Sequence, residues 1–137
     1  MNSIQTLCAA ALLGPLAATA TDLRVTVADG PATSASLYVA LFDSAANYAA
    51  DASMASQVLP LRDGAAQLVF VGLPAGRYAL KLFADQNGNG KLDTNLLGLP
   101  VERYGFSNDA RGNMSAPTFD AAAVLLDGDA TITVHLR

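Results

Sequence analysis

The sequence predicts an all-β protein: an antiparallel, seven-stranded sandwich of Ig-like build, with one long loop. Three observations lead there. Short runs alternate apolar and polar residues, the period of a half-buried strand. Clusters of Gly, Pro, Asn and Asp punctuate those runs every few residues. Eleven of the twelve acidic residues are Asp and only Glu102 is Glu, and Asp favours turns and caps where Glu favours helices.

Leu23, Val25 and Val27 alternate with Arg24 and Thr26, a strand that ends at Asp29-Gly30-Pro31. Ser36 to Asp43 follows, with Leu37, Val39 and Leu41 on one face and Tyr38, Ala40 and Phe42 on the other. Apolar residues on both faces predict a central strand. Ser44 to Ser56 is Ala-rich, with Ser44 placed as an N-cap, so a short helix or structured loop is expected. Val58 to Arg62 and Ala65 to Val71 flank Asp63-Gly64, a hairpin signal. Pro60 assigns the first of these strands to a sheet edge, because proline cannot donate to a ladder. Gly72-Leu73-Pro74-Ala75-Gly76 then turns the chain into a strand from Tyr78 to Ala84. Residues 94–117 show no clean period and are read as one long loop, in which Leu96, Leu97, Leu99, Val101, Tyr104 and Phe106 argue against disorder. Ala121 to Leu126 and Ala130 to Leu136 close the fold, joined at Asp127-Gly128-Asp129, with Ile132, Val134 and Leu136 facing in and His135 facing out. Seven strands with turns between them give the sandwich.

The chain has 137 residues, about one domain's worth. Residues 1–20 carry no charged side chain, run apolar from Ile4 to Leu16 and end Ala18-Thr19-Ala20. A short apolar region followed by small-x-small reads as a secretory signal peptide, cleaved to leave one β-sandwich domain at 21–137. The expected location is therefore outside the cytoplasm, periplasmic or extracellular. Cys8 falls in the discarded segment, so the mature chain has no thiol chemistry. The eight basic residues are scattered singly and the net charge is −4. No basic stripe exists to track a phosphate backbone, so nucleic acid is not an expected partner. No membrane span is expected in the mature chain, and a monomer is.

The most informative stretch is Asp85-Gln86-Asn87-Gly88-Asn89-Gly90-Lys91-Leu92-Asp93. Oxygen side chains fall at alternate positions, a glycine permits a sharp turn, and a carboxylate follows. That is the spacing of a calcium loop, with Asp85, Asn87, Asn89 and Asp93 supplying side-chain oxygens and Lys91 its backbone carbonyl. An EF-hand would place a bidentate Glu where Leu96 stands and helices on both sides, and neither is present. Two carboxylates make the expected site weak, with water, Glu102 or Asp109 completing the shell. The competing reading is a metal-free turn cluster, since Asn87-Gly88 and Asn89-Gly90 both suit positive-φ turns.

Within the long loop, Glu102, Arg103, Tyr104, Phe106, Asn108, Asp109 and Arg111 set aromatic faces beside hydrogen-bonding groups, the mixture of a peptide or carbohydrate site. The alternative is that Tyr104 and Phe106 plug one end of the sandwich while Arg111 pairs with an acid. An enzyme has little to work with. His135 is the single histidine, and Ser107 has no base that the sequence identifies.

Phe70-x-Gly-Leu-Pro-x-Gly-x-Tyr78 resembles the strand-turn-strand signature of transthyretin-like and Cna-B-type sandwiches. A longer pattern covers almost all of residues 23–136. It comprises Asp85-x-Asn-Gly-Asn-Gly-Lys-Leu-Asp93, Leu97-Gly98-x-Pro100, Tyr104-Gly105-Phe106-Ser107-Asn108-x-Ala110-Arg111-Gly112 and Pro117-x-Phe119-x-x-Ala122. It resembles the bacterial exported proteins of domain-of-unknown-function family 2141. That resemblance implies a transthyretin-like sandwich and export, and no activity. The Asp-Asn-Gly-Asn-Gly loop alone is similar to calcium-binding B-type repeats of bacterial surface adhesins. Three function classes stay open: a calcium-stabilised binding or accessory module of the cell envelope, a carrier of a small apolar ligand, or an enzyme built on the 85–112 region.

Overall fold

Two β-sheets face each other across an apolar interior in the computed structural model, which describes residues 20–137. The expected signal peptide at 1–20, Cys8 included, lies outside the described residues but for Ala20. Eight strands form: β1 (Thr21–Ala28), β2 (Ser36–Phe42), β3 (Ala55–Pro60), β4 (Ala66–Leu73), β5 (Gly76–Asp85), β6 (Tyr104–Phe106), β7 (Val124–Leu126) and β8 (Ala130–His135). The first sheet has the order β4-β1-β8 and the second β3-β2-β5-β6, with β7 pairing the start of β5. Two short helices, α1 (Ala45–Ala49) and α2 (Phe119–Ala122), lie outside the sheets.

Alternation places the core where the sequence predicts it. Leu23, Val25, Val27, Leu68, Phe70 and Val134 from the first sheet meet Leu37, Val39, Leu41, Leu80 and Leu82 from the second. Each fully buried side chain of this size contributes about 1.5–3 kcal/mol. Ile132 is only partly buried and packs at the margin. In β2, Phe42 is buried on the opposite face. There it joins Tyr48 of α1, Ala79, Phe106, and Phe119 and Ala122 of α2 in a second, aromatic-rich cluster. The sheet is thus covered on both faces here, as the apolar alternation on both sides of β2 requires. Ser44 caps α1, its Oγ accepting from Asn47 N at 3.1 Å.

Three expectations need correction. The fold is not wholly antiparallel: β1 and β8 run parallel, with Leu23 opposite Ala130 and Ala28 opposite His135. The Asp127–Asp129 turn carries the chain from one sheet to the other instead of closing a hairpin, so β8 arrives beside β1 in the same direction. Asp129 holds that placement by accepting from Asp22 N at 2.8 Å. Next, the Asp63-Gly64 hairpin is only a turn. Arg62 and Ala65 exchange backbone bonds of 2.9 and 3.0 Å, after which β3 pairs with β2 and β4 with β1. Gly64 is indispensable there because its Cβ would sit 2.7 Å from Gly30 O. Finally, the described residues form eight strands and not seven, because the predicted long loop contains β6. Pro60 does end an edge strand, as expected.

Candidate functional site

β5 runs ten residues and delivers Asp85 at its end, 3% exposed. The carboxylate folds back over the following turn: Oδ1 accepts from Gly88 N at 3.0 Å and Oδ2 from Gly90 N at 2.8 Å. Both glycines have φ near +70°, at +74° and +72°, a region other residues reach only with strain. Asn87 Oδ1 accepts from Asn89 N at 3.2 Å and Asn89 Oδ1 from Lys91 N at 3.0 Å, two successive side-chain turns. The amide nitrogens of both asparagines donate to the Asp93 carboxylate, that of Asn89 at 2.6 Å. Asn87, Asn89 and Asp93 therefore converge, while Asp85 organises the turn beneath them. Among the described residues no three Asp, Glu, His or Cys side chains gather closely enough to hold a metal by themselves. A cation here would depend on amide and carbonyl oxygens as well, the hard donors that calcium takes.

Glu102, the one glutamate, ties this loop to the rest of the segment. It is 6% exposed, and its two oxygens accept from Gln86 N at 2.7 Å and Asp93 N at 3.0 Å, one on each side of the loop. Beyond Asp93 the chain makes a tight finger. Asn95 Oδ1 accepts from Leu97 N and Leu99 N at 2.9 and 3.1 Å, and Val101 N returns to Asp93 O at 2.9 Å. The order of this segment comes from these bonds and not from burial of its apolar side chains. Leu96, Leu97, Leu99 and Val101 are all exposed, Leu96 fully.

β6 then pairs with β5, followed by a 3-10 turn at Ser107–Asp109. Ser107 is fully buried and engaged: its Oγ accepts from Leu80 N at 2.9 Å and donates to Ala122 O. It serves as a structural pin, unsuited to nucleophilic attack. Asn108 is exposed, and its amide nitrogen is spent on donating to Ala123 O at 2.7 Å. Asp109 meets β8. Its Oδ1 accepts from His135 N at 2.8 Å, and its Oδ2 lies 2.7 Å from the His135 ring Nδ1. Burial on its own would raise the Asp109 carboxyl. The backbone and ring hydrogen bonds of His135, with the charges of His135 and Arg111, outweigh it and hold Asp109 below its usual 3.8. The hydrogen bond to Asp109 and that carboxylate's charge raise His135 above its usual 6.5.

Two clefts open beside β6. One, about 250 Å³, is lined by Asp29, Phe106, Asp109, Arg111, His135 and Arg137 among others. The other, about 520 Å³, is lined by Leu92, Leu99, Tyr104, Phe106, Arg111 and Met114 among others. A family model described as "Uncharacterized protein conserved in bacteria (DUF2141)" matches residues 25–134. The chain belongs to that family. The DUF2141 match runs from β1 into β8, so it takes in the 85–93 loop, the Glu102 clamp and all of the clefts' lining except residues 135, 136 and 137. No curated protein and no solved structure matches the chain.

The sequence-predicted residues thus separate into two groups. Asn87, Asn89 and Asp93 come together, with the Lys91 N–H on Asn89 Oδ1 and Asp85 beneath them on Gly88 and Gly90. Tyr104, Phe106, Asp109 and Arg111 come together at the clefts. Glu102 and Asn108 do not join that second group, since both are spent on backbone. Sequence reasoning missed His135, Arg137 and Met114. Alternation rightly faces His135 outward, but nothing in the sequence pairs it with Asp109, which depends on the parallel docking of β8.

Proposed function

We propose that this DUF2141 protein is an exported β-sandwich binding or accessory module of the cell envelope. Its ligand-bearing segment is held in shape by a calcium loop at 85–93, in a sandwich of transthyretin-like type. The observation that carries this reading is the Glu102 carboxylate, which joins both sides of the 85–93 loop to the segment leading into the clefts. A cation ordering the loop would therefore order the binding segment. Asp85, Asn87, Asn89, Asp93 and the Lys91 carbonyl would hold it, with water filling the remaining positions of a shell of six to eight oxygens. The candidate partner is an envelope protein, peptide or carbohydrate, met at Tyr104, Phe106, Asp109 and Arg111.

With two loop carboxylates, the affinity falls in the weak extracellular range, a Kd of about 10⁻⁴–10⁻³ M. Millimolar calcium then stabilises the protein by about 0.4–1.4 kcal/mol. Thermal melts of wild type and Asp85→Asn, in calcium, in magnesium and in chelator, test this. A rise specific to calcium in wild type, lost in Asp85→Asn, is the expected result. Equal midpoints in calcium and magnesium would reduce the loop to a turn.

A further inference from the structure

The two clefts are arms of one trough, because Phe106, Arg111 and Arg137 line both. The arms differ in chemistry. The larger is walled by Leu92, Leu99, Pro100, Met114 and Pro117, with Leu99 and Met114 exposed at 56% and 100%. Its volume of about 520 Å³ lies within the range of small-molecule sites, about 300–1,000 Å³. Covering those side chains with hydrocarbon is favourable, since apolar surface leaves water.

The shared wall carries two guanidinium groups, Arg111 and Arg137, that among the described residues have no salt-bridge partner. Asp109 commits both oxygens to His135, so its carboxylate is not hydrogen-bonded to Arg111. Among the described residues Arg111 forms no ion pair; Arg77–Asp120 and Lys81–Asp51 lie elsewhere, and the His135–Asp109 pair lines the smaller arm. Arg137 is positioned without being neutralised: its guanidinium lies 5.6 Å from the Tyr104 ring centroid and donates to Ala110 O at 3.1 Å. The remaining acid, Asp29, lines only the smaller arm. Two guanidinium groups thus stand at the junction of an apolar arm and a polar one. Guanidinium is the group best matched to the paired oxygens of carboxylate or phosphate.

From this geometry we propose that the trough binds a single-chain amphiphile with an anionic head. The hydrocarbon lies along Leu99 and Met114, and the head meets Arg111 and Arg137. This rests on the binding-module reading above and names its ligand class.

Calorimetry on the purified protein with octanoate, octyl phosphate, octylammonium and octanol tests the assignment, with amide chemical shifts locating the site. At least one of the two anions should bind about tenfold or more tightly than octanol or octylammonium, with shifts centred on Phe106, Arg111 and Met114. Octanoate and octyl phosphate compared directly tell which head the trough prefers. Arg111→Ala should erase the advantage of the anion over octanol. Leu99→Ser and Met114→Ser, both at exposed positions, should weaken all chain-bearing probes alike. Octanol binding as tightly as the anions, or a folded Arg111→Ala protein binding the anion unchanged, overturns the proposal. If a peptide or an oligosaccharide shifts the same amides and the anions do not, the module reading stands and the amphiphile falls. If nothing perturbs those amides, both fall.

Discussion

Asp109 spends its carboxylate on a single neighbour 26 residues away, and at positive φ. It and Asn108 have φ of 48° and 60°, a conformation that Asn and Asp tolerate better than most side chains. The resulting pair with His135 has a defined pH signature. The folded value of His135 is raised, so its share of stability is complete below 6.5 and is lost as pH climbs through the raised value. The folded value of Asp109 is lowered, so its share is present above 3.8 and is lost as pH falls through the lowered value. The pair therefore contributes most between 3.8 and 6.5. Both groups are largely solvated, so the gain in stability is small, and a direct titration is the better probe. Following the His135 ring protons by NMR should give a midpoint above 6.5 in wild type and a lower one in Asp109→Asn. An unchanged midpoint would mean that the two side chains do not interact in solution. At the same scale, Tyr48 is pushed up to about 12 by burial and by Asp51, and its hydroxyl donates to Pro117 O at 2.7 Å. That bond anchors the far end of the segment that bears the clefts.

At the scale of elements, β5 is the organising strand. It pairs with β2, β6 and β7, buries Leu80 and Leu82 in the main core, and ends at Asp85. Leu82→Ala should cost about 2–5 kcal/mol in chemical denaturation, the range for a filled core position. A loss under about 0.5 kcal/mol would mean the register is displaced by one residue, exchanging the faces. Much of this was legible in the sequence. The alternation of Leu37, Val39 and Leu41, of Leu68 and Phe70, and of Leu80 and Leu82 specifies which face is buried, and burial follows it. The Asp85–Asp93 spacing identifies the loop, and Ser44 the helix cap. What was not legible depends on contacts distant in sequence. β6 is three residues long, too short for a period to emerge. The exposed leucines at 96, 97 and 99 look like core residues on composition, and only the bonds around Asn95 reveal a finger that presents them. Glu102 stands alone as the only glutamate, yet its role as a clamp appears only when Gln86 and Asp93 flank it in space.

For the whole molecule, strand direction was the hardest property to read. A half-buried strand shows the same alternation beside a parallel or an antiparallel neighbour, so Ile132, Val134 and Leu136 specify a face without specifying a direction. The parallel pairing of β1 with β8 has a mechanical consequence. Tension applied between residue 21 and residue 136 would drag the two strands past each other along their length. The rungs from Leu23–Ala130 to Ala28–His135 would then be loaded together, not peeled one at a time. Single-molecule stretching through those two positions should meet a higher rupture force than stretching through residues 27 and 66, an end rung of the antiparallel β1–β4 ladder, where the bonds open in turn. Equal forces along the two directions would show that the paired ends bear no more load than the rest of the fold. Wherever the two ends of the sandwich are pulled apart, that resistance would keep it folded and its loops in place.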